Sequence, residues 1–220
     1  MRRIRALTLA AAVIAVLPAT VVAQNGRPFD DSWFWGIKLG GFTLADSGRK
    51  YVQAPTVGVE WLITRSKGGL YVSGSETFFT QHTFVQGNLS NGDSSAHAVM
   101  LKNLRKLDVA VVGFPGQHLR FHPYFGVGFS MSQAASAKPE GAFATADQLD
   151  FTEQVIQQQR VAFSPLLIGG GQYRMRKFSV FGQATVSPAQ KNFIMYNGRP
   201  FNFGYEVGLR YNFGSAIDRN

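Results

Sequence analysis

The sequence predicts an all-β protein, an antiparallel up-and-down transmembrane β-barrel of about eight strands. Three observations lead to this prediction: an export signal at the N-terminus, about eight segments in which apolar and polar residues alternate, and connections that are alternately long and short. Alternation with a period of two is typical of strands. The 3.6-residue periodicity of a helix is hard to find between these segments.

Residues 1–23 have the pattern of a secretory signal peptide. Three arginines among the first five residues precede an apolar run that ends in small residues, so we expect cleavage after about Ala23. A retained membrane anchor is the alternative. It is disfavoured because the run barely reaches spanning length and Pro18 interrupts it.

The mature chain is expected to form one domain without disulfide bonds. The sequence has 220 residues, no Cys and no abrupt change in composition. Loss of the signal peptide removes three arginines and lowers the formal net charge from +9 to +6. The remaining basic residues are scattered and are not interleaved with aromatics on a helix, which argues against a nucleic-acid partner and favours an anionic membrane surface.

The predicted barrel covers residues 33–213, between a short N-terminal segment at 24–32 and a C-terminal tail at 214–220. Each strand is rich in Phe, Tyr, Val and Gly and is followed by turn-forming residues. No second apolar run after the signal peptide is long enough for a transmembrane helix. The predicted strands are 33–44, 51–64, 70–84, 99–113, 119–132, 159–173, 178–187 and 201–213.

The connections predict a barrel with two different ends. In an up-and-down meander every other connection lies at the same end, and here the long and short connections alternate. We expect the long loops outside the cell, and the tight turns and the N-terminus in the periplasm. The stretch QLDFTEQVIQQQR in the third long loop is expected to continue as a projecting hairpin. The long loops are 45–50, 85–98, 133–158 and 188–200, and the short turns are 65–69, 114–118 and 174–177.

The last strand, FNFGYEVGLRYNF, indicates which face meets lipid. Every odd residue from 201 to 213 is apolar or aromatic, while Gly204 and Gly208 lie on the even face. Glycine weakens a strand that faces water, but small residues suit the interior of a narrow barrel. The aromatic face is therefore predicted to point outward, into lipid. A soluble lipocalin-like barrel, with its apolar face inward, is the alternative fold.

Aromatic residues near the strand ends are predicted to lie at the membrane interfaces. Thirteen strand residues tilted by about 40° rise roughly 30 Å, which matches an outer-membrane apolar band with its girdles. The predicted interfacial aromatics are Trp33, Trp35, Trp61, Phe201 and Phe203.

Four charged residues are predicted to meet inside the barrel. Lys38 on the first strand projects inward between neighbours that carry Glu60 and Glu206, and Arg210 follows Glu206 on the same face. Charges in a narrow lumen must pair or stay hydrated. We therefore expect a polar network that closes the lumen to free passage of solutes.

The sequence predicts no metal, cofactor or phosphate site. His118 and His122 lie roughly 13 Å apart on a strand, which is too far for a shared metal. The loop stretch NLSNGDSSAH lacks the acidic pattern and closing Glu of a calcium loop. The glycines at 169–171 do not precede a helix, so they are expected to provide close packing or a bend.

Taken together, the export signal, the HPYFGVGFS strand, the GGGQYRM strand end and the last strand resemble the small eight-stranded outer-membrane barrels of the OmpA- and OmpX-like group. The resemblance implies a porin-like membrane protein of a Gram-negative bacterium, surrounded by outer-membrane lipid including lipopolysaccharide. It also implies that the end of the last strand is a signal for the barrel-assembly machinery, although GSAIDRN follows here where the family usually stops. The residues that match this signal are Tyr205, Val207, Leu209, Tyr211 and Phe213.

The preferred function is a non-enzymatic structural or surface-interaction role through the loops at 85–98, 133–158 and 188–200. One alternative is passage of small hydrophobic solutes, which needs an opening that Pro123, Pro165 or Pro188 could create. Another is a lipid A-modifying enzyme, a deacylase or acyltransferase, since such enzymes exist on this scaffold. That alternative needs a rim pair such as His82 with a serine, and no GxSxG motif is present.

Overall fold

A computed structural model describes residues 29–45, 51–86, 96–115, 120–143, 145–196, 198 and 200–215 of the chain. These residues form eight strands and one helix. In chain order they are β1 (Ser32–Ala45), β2 (Tyr51–Thr64), β3 (Gly68–Gln86), β4 (Ala96–Gly113), β5 (Phe121–Glu140), α1 (Ala146–Gln159), β6 (Val161–Met175), β7 (Phe178–Pro188) and β8 (Phe201–Ser215).

The strands form a closed antiparallel barrel, which confirms the predicted fold class. Each strand pairs with the next, and β8 returns to pair with β1, where Gly208 lies opposite Lys38. Closure gives every strand a paired neighbour on both sides in the body of the barrel, as a barrel surrounded by lipid requires. The barrel extends slightly beyond the predicted range of 33–213, because β8 includes Gly214 and Ser215. The rest of the predicted tail lies outside the described residues.

The two faces of the wall follow the predicted alternation. On β1, Ile37 and Leu39 are 66% and 62% exposed, whereas Lys38 between them is 3% exposed. The same contrast separates exposed Val207 and Leu209 from buried Arg210 on β8. Large apolar side chains therefore cover the outside of the barrel, as they do on a barrel that faces lipid, while charged side chains such as Lys38 and Arg210 point inward.

Outward aromatic residues lie at both ends of the barrel. At the tight-turn end, Trp61 lies between Trp33 and Trp35, with ring centroids 5.1 and 5.5 Å away. At the long-loop end, Phe201 and Phe203 are 46% and 44% exposed on β8. All five residues predicted as interfacial aromatics therefore lie on the outer face, towards one end or the other.

Helix α1 replaces the hairpin predicted from QLDFTEQVIQQQR, so that prediction was wrong. The helix begins where the Thr145 side chain accepts a hydrogen bond from the backbone N–H of Gln148, at 3.3 Å, with Asp147 in the first turn. Its buried stripe contains Gln148, Thr152 and Ile156. Because two of these three residues are polar, the stripe produces almost no helical hydrophobic periodicity in the sequence.

Three strands rise above the rest of the wall at the long-loop end. The pairing of β3 with β2 ends at Thr77, yet β3 continues beside β4 as far as Gln86. Nine further residues correspond to about 30 Å along the strand. Strand β5 continues likewise to Glu140, beyond its last pair with β6 at Gln133. Helix α1 packs against this extension, mainly against β5.

Candidate functional site

The lumen brings together the four charged residues that the sequence singled out. Lys38 Nζ lies 2.8 Å from Glu206 Oε2, and Arg210 Nε donates to Glu60 Oε1. The side chains of Arg210 and Glu60 are completely buried. These are two separate ion pairs, each joining residues on different strands.

Glycines on the neighbouring strands make both ion pairs possible. Gly36 on β1 lies between Glu60 and Arg210 in the register, and a Cβ there would approach Glu60 Oε1 to 2.9 Å. Lys38 has Gly58 on one side and Gly208 on the other. The inward glycines therefore provide the space through which long charged side chains reach across a strand.

Tyrosine and glutamine side chains connect the two ion pairs. The Tyr71 hydroxyl donates to Glu60 Oε2 at 3.1 Å and accepts from Lys38 Nζ at 3.2 Å. Gln183 Nε2 donates to both Tyr71 and Glu206, in each case at 2.7 Å. Neither Tyr71 nor Gln183 was among the residues predicted for the lumen network. Their inward strand positions were a signal that could have identified them.

The guanidinium group of Arg210 is enclosed on all sides. Its Nη1 donates to Gln172 Oε1, and its Nη2 donates to the Tyr124 hydroxyl at 3.3 Å. Its Cζ lies 4.0 Å from the centroid of the Phe181 ring, at cation–π distance. Phe181 fits here because position 208 is glycine, where a Cβ would be 2.5 Å from the ring. A buried ion pair tolerates desolvation only when its remaining donors and acceptors are satisfied in this way.

A second charged cluster lies on the opposite side of the lumen, and the sequence analysis missed it. Lys106 Nζ is 3.4 Å from Asp108 Oδ2, and the Ser130 hydroxyl donates to Asp108 at 2.6 Å. Lys106 Nζ also lies 5.0 Å from the ring centroid of Phe42. Among the residues that the structure describes, the buried lysines and arginines therefore equal the buried carboxylates in number. The members are Lys38, Lys106 and Arg210 against Glu60, Asp108 and Glu206.

Apolar residues fill the tight-turn end of the lumen, in addition to the polar network that the sequence predicted. Phe29, from the predicted N-terminal segment, turns inward and packs edge-to-face on Phe114 at 4.9 Å. It also stacks on His122 at 4.0 Å. Thr64 at the end of β2 holds this segment by donating to the carbonyl of Phe29. Alternation along strands does not reveal that a residue before β1 folds into the lumen.

A second apolar layer fills the long-loop end. Phe193 and Ile194, from the connection between β7 and β8, pack with Ile156 of α1 and with Leu104 and Phe42 of the wall. The backbone N–H of Ile194 donates to the Gln159 carbonyl at 2.9 Å, which ties this connection to the end of α1. The lumen thus has apolar layers at both ends and a charged layer between them.

The wall has a weak seam between β6 and β7 near the long-loop end. Their pairing ends at Leu167 opposite Val186, and the same register would place Pro165 opposite Pro188. Neither proline can donate to the ladder, so the pairing cannot continue upward. A small cavity of about 30 Å³ lies in the lumen beside this seam, lined by Ser164 and Pro188 and by residues of other strands such as Leu104.

One described histidine, His82, forms an ion pair with a carboxylate at the rim of the barrel. Its Nδ1 is 2.6 Å from Glu140 Oε2. A carboxylate at this nitrogen would orient the imidazole, and a deacylase would also need a serine near its other nitrogen. His118 lies outside the described residues.

Within the part of the chain that the structure describes, no cluster of three His, Asp or Glu residues could hold a metal ion. Among the same residues, no helix is both long and apolar enough to cross a membrane.

The residues predicted as an assembly signal lie on the outer face of β8. Phe213 is 58% exposed, and its ring makes an edge contact with Tyr211 at 4.9 Å. Tyr205 donates to Gln53 at 2.9 Å near the long-loop end. Their exposure leaves them accessible to lipid or to another protein, and recognition by the assembly machinery stays a prediction.

Comparisons with known proteins identify the fold. No family model and no curated protein matches the chain. Among solved structures, the barrel is similar to Neisserial surface protein A, with a TM-score of 0.54, 10% identity and coverage of 82% of this chain and 97% of that one. Weaker similarity links it to Ail of Yersinia pestis, at TM-score 0.47, 10% identity and coverage of 84% and 100%. OprG of Pseudomonas aeruginosa matches at TM-score 0.45 and 12% identity, with coverage of 84% and 98%. The fold is therefore that of the small outer-membrane barrels.

Proposed function

We propose that this chain is a bacterial outer-membrane protein with a structural or surface-interaction role, in which a sealed barrel displays an extracellular platform. The single observation that carries the proposal is the filled lumen. Side chains occupy its tight-turn end, its centre and its long-loop end. An eight-stranded barrel has an interior just wide enough for side chains, so a filled one leaves no axial route.

The outer face supports the membrane location. Apolar and aromatic side chains such as Phe125, Val127 and Phe129 are between 60% and 69% exposed along the middle of one strand. Soluble monomers rarely expose contiguous apolar patches larger than a few hundred Å². The solved barrel with the same fold is named as a surface protein, which fits this location.

The platform consists of the extension of β3, β4 and β5 together with α1. An open groove between α1 and the end of β5 is lined by Lys138, Phe143, Asp150 and Glu153. Ordered elements that project from a rigid barrel are suited to contact with a partner, because the scaffold fixes their position. The lining residues are of mixed polarity and charge.

Three measurements test the proposal. In planar bilayers, purified protein is expected to give no large, stable ohmic conductance, and such a conductance would contradict a sealed lumen. On intact cells, an epitope tag inserted after Gly141 is expected to bind antibody, whereas the same tag in the turn at Ser66 and Lys67 should bind only after the outer membrane is permeabilised. Recovery of the protein from the soluble periplasmic fraction would contradict the membrane location.

A binding assay tests the surface role itself. Asp150 and Glu153 are exposed on α1 beside the groove. Replacing both by Ser in the full protein is expected to reduce adhesion of expressing cells to surfaces that bind wild-type cells. Unchanged adhesion, with equal surface display of both proteins, would contradict a role for the platform.

The seam between β6 and β7 favours a second candidate function, passage of small hydrophobic solutes through the wall. Pro165 and Pro188 prevent pairing beside an internal cavity. A pair of substitutions, Ser164→Cys and Ala189→Cys, would place thiols at opposed positions of the continued register. Oxidation is expected to slow uptake of a small uncharged aromatic solute into proteoliposomes, and reduction to restore it. Equal uptake in both states would contradict lateral passage.

A further inference from the structure

A row of hydrogen-bond donors at the tight-turn end of the lumen has not been assigned a role. Arg174, near the end of β6, lies opposite Ser179 of β7. On its other side, the backbone N–H of Arg174 donates to the carbonyl of Arg120 at 2.8 Å, which continues the register that pairs Gln172 with His122. Residues directly opposite one another share a face of the sheet. Because Ser179 is buried and faces the lumen, the whole row faces inward.

Two arginines lie side by side in this row. Residues joined by a backbone hydrogen bond at directly opposite positions of an antiparallel pair have Cα atoms about 5.5 Å apart. Arg120 and Arg174 are such a pair, and both are half-buried. Like charges directly opposite each other destabilise a sheet. Within the described part of the chain, neither side chain forms a hydrogen bond or an ion pair.

The carboxylates near this row do not balance its charge. Asp30, in the segment before β1, acts electrostatically on Arg174. Glu60 is already paired with Arg210, which lies opposite Ser179 and continues the row into β8. The row and its continuation therefore carry three guanidinium groups for two nearby carboxylates among the residues that the structure describes.

Two neutral donors beside the arginines have no partner. The residues Gln172 and Ser179 are 0% and 1% exposed. Gln172 Nε2 and Ser179 Oγ have no hydrogen-bond partner among the described residues. The Oε1 atom of Gln172 accepts from Arg210, so Nε2 lies on the side of the carboxamide away from that guanidinium. Gln172 is the inward position next to Arg174 on β6, so both neutral donors border the arginine pair.

An oxyanion suits this set of donors, which consists of Arg120, Gln172, Arg174 and Ser179 and is called the donor cluster below. A guanidinium group and an amide Nε2 can only donate, and a serine hydroxyl can donate. Arginine binds phosphate oxygens through paired, charge-assisted hydrogen bonds. A negative ion would supply the acceptors that the buried donors lack and would separate the two like charges. A water molecule would supply no charge.

We propose that the donor cluster binds a small inorganic oxyanion, represented by inorganic phosphate, at the tight-turn end of the lumen. The arginines supply the charge, while Gln172 and Ser179 fix the position of two oxygen atoms. Because the cluster faces inward, the headgroups of the surrounding bilayer do not reach it, and the ligand is a free ion. The inference rests on the closed barrel and does not depend on the proposed surface role.

Calorimetric titration of the refolded protein in neutral detergent tests the proposal, with inorganic phosphate as the probe at fixed ionic strength. Wild-type protein is expected to bind one phosphate per barrel. Arg174→Gln is expected to bind phosphate at least tenfold more weakly, because a hydrogen bond to a charged group contributes about that much or more. Ser179→Ala removes a neutral donor and should weaken binding about fivefold. Dihexanoyl phosphatidic acid, which carries its phosphate on a lipid, should not compete.

A matched control removes charge from the same end of the barrel but not from the lumen. Arg65 and Lys67 are exposed in the turn between β2 and β3. The variant Arg65→Gln with Lys67→Gln is expected to change phosphate binding less than twofold, although it removes more charge than Arg174→Gln. In crystals soaked with selenate, a tetrahedral analogue, the anomalous peak should lie within hydrogen-bond distance of Gln172 Nε2 and Ser179 Oγ.

The outcomes separate this inference from the proposed function. No phosphate binding by folded wild-type protein, equal losses in Arg174→Gln and the control, competition by the lipid, or an ordered water in place of selenate would each overturn the anion site. None of these results bears on the outer-membrane location. Failure to insert into bilayers would contradict that location and leave phosphate binding intact. If Arg174→Gln does not refold, Arg120→Gln provides the same comparison.

Discussion

Removing one partner of the buried ion pair between Arg210 and Glu60 should destabilise the barrel strongly. Both side chains are completely buried, so a single substitution leaves its partner's charge without compensation. Breaking a buried pair costs about 3–5 kcal/mol of unfolding free energy. We therefore expect losses in this range for Arg210→Met and for Glu60→Leu.

The double variant should be more stable than either single one. Replacing a buried pair with apolar residues of similar volume is often neutral or stabilising, because both desolvated charges leave together. Part of the loss will remain, since Tyr71 and Gln172 also lose their contacts to the pair. The coupling between the two substitutions should be on the order of 3 kcal/mol.

Urea titration of the refolded protein measures these changes, with tryptophan fluorescence as the probe. All three tryptophans lie on the outer face, so their emission reports loss of the lipid or detergent environment. The exposed pair between Arg65 and Asp31 is the matched control, and its removal should cost less than about 1 kcal/mol. Additive losses in the double variant would show that the two charges do not depend on each other, and would refute the reasoning.

Further predictions concern packing, insertion, the helix cap and processing. Gly36→Ala should cost about 1–3 kcal/mol in the same titration, because its Cβ would meet Glu60, whereas Gly74→Ala, with no atom within 4 Å, should not. Phe213→Ala should slow membrane insertion more than it lowers the stability of refolded barrel, and equal effects would make it only an interfacial residue. Thr145→Ala should weaken α1 by about 1 kcal/mol, seen as faster amide hydrogen exchange in the helix but not in β8. Mass spectrometry of exported protein should place its N-terminus after about Ala23, and an intact N-terminus would contradict cleavage.

Local pattern was sufficient to predict the strands and their faces. A period of two fixes which side chains share a face whatever the strand pairs with, so the placement of Val207 and Leu209 outside and Arg210 inside followed from the sequence. The glycines on the inward face gave the direction of that face. Local pattern did not predict helix α1. Two of its three buried residues are polar, so its buried face is not marked by apolar residues at helical spacing.

Closure of the barrel decided which inward-facing residues contact one another. Glu60 and Arg210 are 150 residues apart and come together because β2 and β8 both pair with β1, with Gly36 between them. Gln183 and Tyr71 lie on strands that are not neighbours in the sheet, and they meet only across the lumen. The sequence alone therefore determined eight alternating strands and a charged interior. It also predicts an export signal, which lies outside the described residues. Only the tertiary structure determined the partners of those charges, the apolar layers above and below them, and the seam in the wall, because each depends on register and on distances across a closed sheet.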